Sequence, residues 1–343
     1  MNNYILPAEW HRQEAVIITW PHEDTDWRDY LDEITATMVQ MAKAIAKHER
    51  LIIAAQYPER LIAKLDSKLN ADEMLNVGIY RIDNDDTWAR DHGFITLLPE
   101  NGSGKRKLLD FRFNGWGEKF AAEKDNEINA NLFEQGAIAG EYEDNLDFVL
   151  EGGSIESDGK GTVFTTSQCL LAPNRNQPMD KEQIEVELKK RLHAERVVWL
   201  DYGNLIGDDT DGHIDTIVRV CPDDTLLYIK CDDKDDEQYA DFKKLEDQLK
   251  TLRTIDGKPY KLVALPFTKA ISYDGERLPA TYANFLIIND AVIVPTYNQE
   301  DADRKAMDTI AKVFPDREII GIDAGVIIRQ HGSIHCLTMQ VPV

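Results

Sequence analysis

Four short stretches crowd Asp, Glu, His or Cys into strand-like or glycine-bounded settings, where such side chains are costly to bury. They are Asp85-Asp86-Thr87-Trp88-Ala89-Arg90-Asp91-His92-Gly93, Leu150-Glu151-Gly152-Gly153-Ser154-Ile155, Asp208-Asp209-Thr210-Asp211-Gly212-His213-Ile214-Asp215 and His331-Gly332-Ser333-Ile334-His335-Cys336. Asp91, Glu151, His213 and Cys336 follow one another at intervals of 60, 62 and 123 residues, the last close to twice the others. A Cys and a His together can do nucleophilic chemistry: the thiolate attacks an electrophilic carbon, and the imidazole moves protons to the leaving group and from water. Carboxylates around an ordinary amide or ester would repel the developing oxyanion and raise the thiol pKa. Around a cation they make sense, and a guanidinium, planar with its N–H donors in a fixed fork, is matched by carboxylates accepting paired hydrogen bonds.

Other readings compete at each position. Asp91 after Arg90 also reads as a surface ion pair, Glu151-Gly-Gly as a turn, His213-Ile-Asp215 as a satisfied buried pair, and Cys336 as an inert buried thiol. A metal site is the other chemical reading, with His331, His335 and Cys336 close in sequence and His213 and Asp215 as further ligands. Gly332, Ser333 and Ile334 argue against the helix that makes His-x-x-x-His useful.

The elements that must position these residues recur. Leu31, Ile34, Met38, Met41 and Ile45 form one helical stripe, and Leu51 to Ala55 reads as a buried strand. Lys181 to Leu192 is helical in pattern, Val197 to Leu200 a strand, and His213 to Val220 and Thr225 to Ile229 two more. The order returns with a helix near Asp235 to Leu252 and strands at 262–265, 284–288 and 291–294. It returns again with a helix at Asp301 to Val313 and strands at 318–322 and 334–339. About five such units imply a repeat of roughly 60–70 residues, too long for a thin solenoid. Units wound around an axis would bring equivalent positions together there, so Asp91, Glu151, His213 and Cys336 would meet. Asp215, two residues after His213, would share its face on a strand. Asn101 to Gly104 and Asp158 to Gly161 read as hairpin turns, and with no linker between the copies, 1–343 reads as one catalytic domain.

The chain has 343 residues, 43% hydrophobic and 29% charged, with a formal net charge of −23. Such a composition suits a soluble globular protein. The charge disfavours nucleic acid and attracts cations. The opening Met1-Asn2-Asn3-Tyr4-Ile5-Leu6-Pro7 lacks a basic region followed by an apolar stretch, so the expectation is a cytoplasmic protein without membrane attachment. Cys169, Cys221, Cys231 and Cys336 show neither a CxxC pair nor a disulfide framework.

The chain resembles the agmatine deiminases and their relatives, the bacterial peptidyl-arginine deiminase-like proteins, over nearly its full length. The motifs, in order, are Leu6-Pro7-Ala8-Glu9-Trp10, Trp20-Pro21-His22, Trp88-Ala89-Arg90-Asp91, Phe113-Asn114-Gly115-Trp116-Gly117, Leu150-Glu151-Gly152-Gly153-Ser154, Thr165-Thr166-Ser167-Gln168-Cys169-Leu170-Leu171, Gly212-His213-Ile214-Asp215 and Ile334-His335-Cys336-Leu337-Thr338. The resemblance implies an α/β fold, the five-bladed pseudo-symmetric β/α propeller of the guanidino-group-modifying (pentein) enzymes, in agreement with the repeat length. It implies Cys336 as nucleophile, His213 as acid and then base, Asp91 and Asp215 on the guanidinium nitrogens, and Glu151 orienting and charging His213. Trp88, Trp116 and Trp20 would wall the cavity, each also readable as core packing, and Asp209, Asp211 or Asp24 would meet a distal ammonium. Hydrolysis of agmatine to N-carbamoylputrescine and ammonia, on a route to putrescine, is the activity implied first. Peptidyl-arginine deimination and amidino transfer are the alternatives. No metal or organic cofactor is implied, and a homodimer is consistent with the family. The sequence departs from the family pattern at His92-Gly93-Phe94, Glu156, Asp211 and His331-Gly332-Ser333, while mouth loops decide between the amine of agmatine and the backbone of a peptide.

Overall fold

In the computed structural model, which describes residues 4–343, the strands form five mixed sheets and one two-stranded hairpin. Four of the five sheets are built by one rule: an antiparallel strand pair, then a helix, then a strand parallel to the second of the pair. They use Ile95–Pro99, Lys107–Arg112 and Glu141–Val149; Ile155–Ser157, Thr162–Thr166 and Arg196–Leu200; Val218–Cys221, Thr225–Lys230 and Lys261–Pro266; and Leu286–Ile287, Ala291–Thr296 and Glu318–Asp323. The fifth follows the same rule across the chain ends, because Thr338–Pro342 pairs antiparallel with Gln13–Thr19, which lies parallel to Arg50–Ala55. The connecting helices include Leu31–Ala46, Ile128–Glu134, Lys181–Arg191, Tyr239–Thr251 and Glu300–Val313. Asp180 and Gln183 close a capping box on the third of these.

The apolar patterns follow from this layering. Ile34, Met38, Met41 and Ile45 are fully buried on one helix face. The Ala15-Val16-Ile17-Ile18 run is apolar throughout because both faces are covered: Val16 and Ile18 join one core cluster, Ala15 and Ile17 the other. The loops at 101–104 and 158–161 do connect antiparallel neighbours. No helix among the described residues is long and apolar enough to cross a membrane.

Three expected strands are shorter, and each difference falls at the site. The segment expected from His213 to Val220 begins as a 3₁₀ turn at Ile214–Thr216, with strand only from Val218. There the His213 carbonyl accepts from the Thr216 hydroxyl at 2.7 Å, and Thr210 Oγ1 accepts from the His213 N–H at 3.1 Å. His213 and Asp215 therefore share a turn rather than a strand face. The last strand runs from Thr338, since the N–H groups of His335 and Cys336 are drawn to Asn284 Oδ1 at 2.9 and 3.3 Å. Asn284 itself precedes the short strand Leu286–Ile287.

Candidate active site

Each sheet contributes a residue from just before its first antiparallel strand. Asp91 sits on the short helix Ala89–His92, Glu151 precedes the turn Gly152–Ser154, His213 precedes the turn Ile214–Thr216, and Asn284 and Cys336 lie in the irregular stretches before their strands. Regular ladders begin after these positions, so the backbone there is free to turn the side chains toward one another. Glycines make the approach close. A Cβ on Gly153 would lie 2.6 Å from His213 Nδ1, 2.8 Å from Asp91 Oδ1 and 3.3 Å from Asp215 Oδ2, so these three groups converge on one backbone atom.

Cys336 Sγ lies 3.8 Å from Asp215 Oδ2 and 3.2 Å from Asn284 Nδ2, which also donates to Asp215 Oδ2 at 3.1 Å. Asp91 Oδ1 accepts from the Gly153 N–H at 3.0 Å and lies 3.6 Å from His213 Nδ1, while its Oδ2 accepts from Trp116 Nε1 at 2.9 Å. None of Asp91, Glu151, His213, Asp215 and Cys336 is more than 4% exposed. Both ring nitrogens of His213 and Asp215 Oδ1 have no hydrogen-bond partner among the described residues. The structure thus gathers Asp91, Glu151, His213, Asp215 and Cys336, adds Asn284, and leaves the His213 ring nitrogens and Asp215 Oδ1 without a hydrogen-bond partner among the described residues.

The electrostatics follow from burial and charge. Burial, with Asp215 and Asp91 adding to it, pushes the Cys336 thiol well above its ordinary value. Burial would lower the His213 pKa, but Asp91, Cys169 and Asp215 together outweigh it and raise the pKa well above its ordinary value. Asp91 is pushed up to about 6 by burial, against the pull of His213. For Asp215 burial is outweighed by the hydrogen bond and charge of His335, and its carboxyl is held low.

Glu151 stands beside His213, a carboxylate oxygen, a ring nitrogen and the Cys169 sulfur all lying within 4.8 Å of one another. Its carboxylate is taken by the buried Arg175, whose Nε lies 2.9 and 3.3 Å from its two oxygens, and no hydrogen bond joins it to His213. The carboxylate that faces His213 Nδ1 is Asp91. Arg175 also pairs with Asp211 at 2.7 Å, and Asp211 with Lys119 at 2.8 Å.

Trp116 reaches Asp91 from a left-handed turn, Gly115 to Glu118, all four residues having φ between 55 and 85°. Trp88 stacks edge-on to Trp116 at 6.5 Å, donates to Asp86 Oδ2 at 3.0 Å and leaves no room for a side chain at Gly332. Trp20 is buried in the main core. Of the three aspartates considered for a distal ammonium, Asp24 pairs with Arg28 on the surface and Asp211 with Arg175 and Lys119, whereas Asp209 forms no ion pair among the described residues. The Asp209 carboxyl is pushed up to about 6 by burial and by Asp208. Arg90 does not pair with Asp91; it is buried and donates to Gln340 Oε1 at 2.6 Å.

The metal-ligand group weighed as the alternative reading does not assemble, because His331 Nδ1 meets the Gly207 carbonyl at 2.7 Å while His335 is held by Asp215 and Glu9. Two other groups have ligand spacing, Glu151–Cys169–His213 and Glu9–Glu156–His335. Each already has an arginine on its carboxylates, Arg175 in the first and Arg219 in the second.

Sequence reasoning missed Asn284, Arg175 and Arg219. Asn284 had one signal, the double interval between His213 and Cys336, which leaves a repeat position unfilled.

A thiol, an imidazole and carboxylates gathered at one buried point of an α/β chain are the equipment of a thiol-dependent hydrolase of cationic substrates. The chain belongs to the Porphyromonas-type peptidyl-arginine deiminase family, which matches residues 5–342, and is a hydrolase of carbon–nitrogen bonds. It is 34% identical to an agmatine deiminase of Pseudomonas putida, over 99% of this chain and 96% of that one. A solved agmatine deiminase of C. jejuni with substrate bound is 36% identical, with a TM-score of 0.89 over 98% of this chain and 96% of that one. A solved Porphyromonas gingivalis protein, provisionally called an arginine deiminase, is 46% identical, with a TM-score of 0.92 over 99% and 98%.

Proposed function

We propose that the chain is an agmatine deiminase, hydrolysing agmatine to N-carbamoylputrescine and ammonia. The observation that carries this reading is the pairing of Asp91 and Asp215 at one buried point beside the Cys336 sulfur, with His213 within 3.6 Å of Asp91. A guanidinium placed there meets two carboxylates that hold its nitrogens and a sulfur aimed at its carbon. Its charge offsets the two carboxylates that keep the thiol protonated, so binding itself favours the Cys336 thiolate.

The thiolate adds to the guanidinium carbon, breaking its π bond and giving a tetrahedral adduct. His213 donates its proton to one terminal nitrogen as the C–N bond breaks, releasing ammonia and leaving a thiouronium on sulfur. Neutral His213 then takes a proton from water, whose oxygen attacks the same carbon. Breaking of the C–S bond expels the thiolate, and the new hydroxyl gives up its proton to solvent, leaving the ureido product. Asn284 Nδ2, 3.2 Å from Sγ, donates to the sulfur when it is anionic. Asp209, without an ion pair, is the carboxylate for the distal ammonium, and Trp88 and Trp116 line the space between. No step calls for a metal or an organic cofactor.

In this reading the five modules form a five-bladed β/α propeller around the site, 1–343 acts as one catalytic unit, and the partner is a small guanidino cation. A cytoplasmic enzyme in putrescine formation follows from the substrate. The buried thiol, 4% exposed, suits a slender amine better than a protein loop.

Incubation with agmatine, arginine and an arginyl peptide, with and without an amine acceptor and with and without chelator, tests this reading. The expected result is the highest kcat/KM for agmatine, equimolar ammonia and N-carbamoylputrescine, and no effect of chelation. Faster turnover of the peptide, or amidino transfer to the acceptor, overturns it.

A further inference from the structure

Asp215 must present an oxygen to the substrate from a wall it shares with the thiol. Its Oδ2 is already taken, accepting from His335 Nδ1 at 2.7 Å and Asn284 Nδ2 at 3.1 Å, whereas Oδ1 has no hydrogen-bond partner among the described residues. The other ring nitrogen of His335 lies 2.7 Å from Glu9 Oε2. A carboxylate only accepts, so an imidazole held between two of them donates from both nitrogens.

Glu9 is fixed in turn. Its Oε2 accepts from Arg219 Nη2 at 2.5 Å and its Oε1 from the Ile287 N–H at 2.8 Å. Arg219 Nη2 comes within 3.1 Å of His335 Nε2 because both reach the same Glu9 oxygen. The Arg219 guanidinium is completed by Glu156 Oε1 at 2.6 Å and by the carbonyls of Ala283 and Phe285. None of these side chains is more than 8% exposed. Burial would raise the Glu9 carboxyl, but Arg219 and His335 hold it well below its usual range, so it stays an acceptor. A continuous line therefore runs from Glu9, near the N-terminus, to the residue preceding the thiol.

We propose that His335 is a positioning residue: tied to Asp215 Oδ2 through Nδ1–H and to Glu9 through Nε2–H, it turns Asp215 Oδ1 toward the guanidinium. The proposal rests on the guanidino reading of the site. It gives His335 no contact with substrate; its effect is to fix the direction of a carboxylate that does make contact. Buried and anchored at both ends, such a carboxylate needs no reorganisation when the cation arrives.

Amide side chains separate the two ends of the ring. In His335→Asn the amide nitrogen stands near the place of Nδ1 and keeps the donor to Asp215. In His335→Gln it stands near Nε2 and keeps only the donor to Glu9. The expected result is that the Asn variant retains kcat/KM for agmatine within about tenfold of wild type, while the Gln variant loses about 100-fold or more, through both a higher KM and a lower kcat. Equal losses, or better activity in Gln than in Asn, overturn the proposal. Should both variants fail to fold, ¹⁵N spectra of the histidine rings in the wild-type chain supply the answer. Protons on both nitrogens of His335 support the contact, and a single N–H overturns it. A wild-type chain inert toward agmatine sinks the functional reading instead, and the ring spectrum still tests His335 in that case.

Discussion

Gly153→Ala adds one methyl at the point where the site groups meet. No left-handed φ is required at Gly153, so alanine meets no backbone obstacle there. Its methyl would stand 2.6 Å from His213 Nδ1 and 2.8 Å from Asp91 Oδ1. Carbon and a polar heavy atom rest about 3.4 Å or more apart, so the imidazole must retreat by about 0.8 Å and the carboxylate by about 0.6 Å. Neither can do so freely. Asp91 is held at one oxygen by the Gly153 N–H and at the other by Trp116 Nε1, and His213 is fully buried.

A displacement approaching 1 Å in groups that must align with substrate costs about 100-fold in rate, or about 2.7 kcal/mol of transition-state stabilisation. Overpacking costs about 1–3 kcal/mol of stability, which lowers Tm without abolishing the fold. The expected result is a folded variant with kcat/KM for agmatine down about 100-fold, measured by ammonia release, and a Tm shift measured alongside it. A Gly153→Ala enzyme with more than half of wild-type kcat/KM would show that Asp91 and His213 do not act from the positions described.

Cys336→Ala removes the sulfur in contact with Asp215 and Asn284; turnover should vanish while calorimetry still detects agmatine binding, and residual turnover above about 1% would refute a covalent mechanism. The Asp91 carboxyl, pushed up to about 6, gains a proton as pH falls through that value and loses its attraction for a cation. KM for agmatine should therefore rise on the acid side of about pH 6 and flatten above it, and a KM unchanged between pH 5 and 8 would remove Asp91 from binding.

The apolar stripe from Ile34 to Ile45 and the uninterrupted Ala15 to Ile18 run record burial directly, because water exclusion acts on each side chain and leaves a period in the sequence. Asp91, His213, Asp215 and Cys336 were legible for the opposite reason: charged or nucleophilic residues stand out against such surroundings, at intervals set by the module length. The same physics hid the rest. Arg175 and Arg219 are fully buried, yet an arginine in a sequence reads as surface until its carboxylates are found, and Arg219 finds Glu9 across 210 residues.

Asn284 is the instructive omission. The 123 residues between His213 and Cys336 call for a fifth position about midway, near residue 275. What stands there is the hairpin Ser272–Arg277, and the residue that fills the position comes after it, as an uncharged side chain between Ala283 and Phe285. An insertion in one module moves the register of that module alone, while the site requires only that each module deliver a side chain to it from ahead of its first strand. The invariant is therefore the place in the module, not the count along the chain. By that criterion Asn284, which touches both Cys336 and Asp215, stands to its module as His213 stands to the one before.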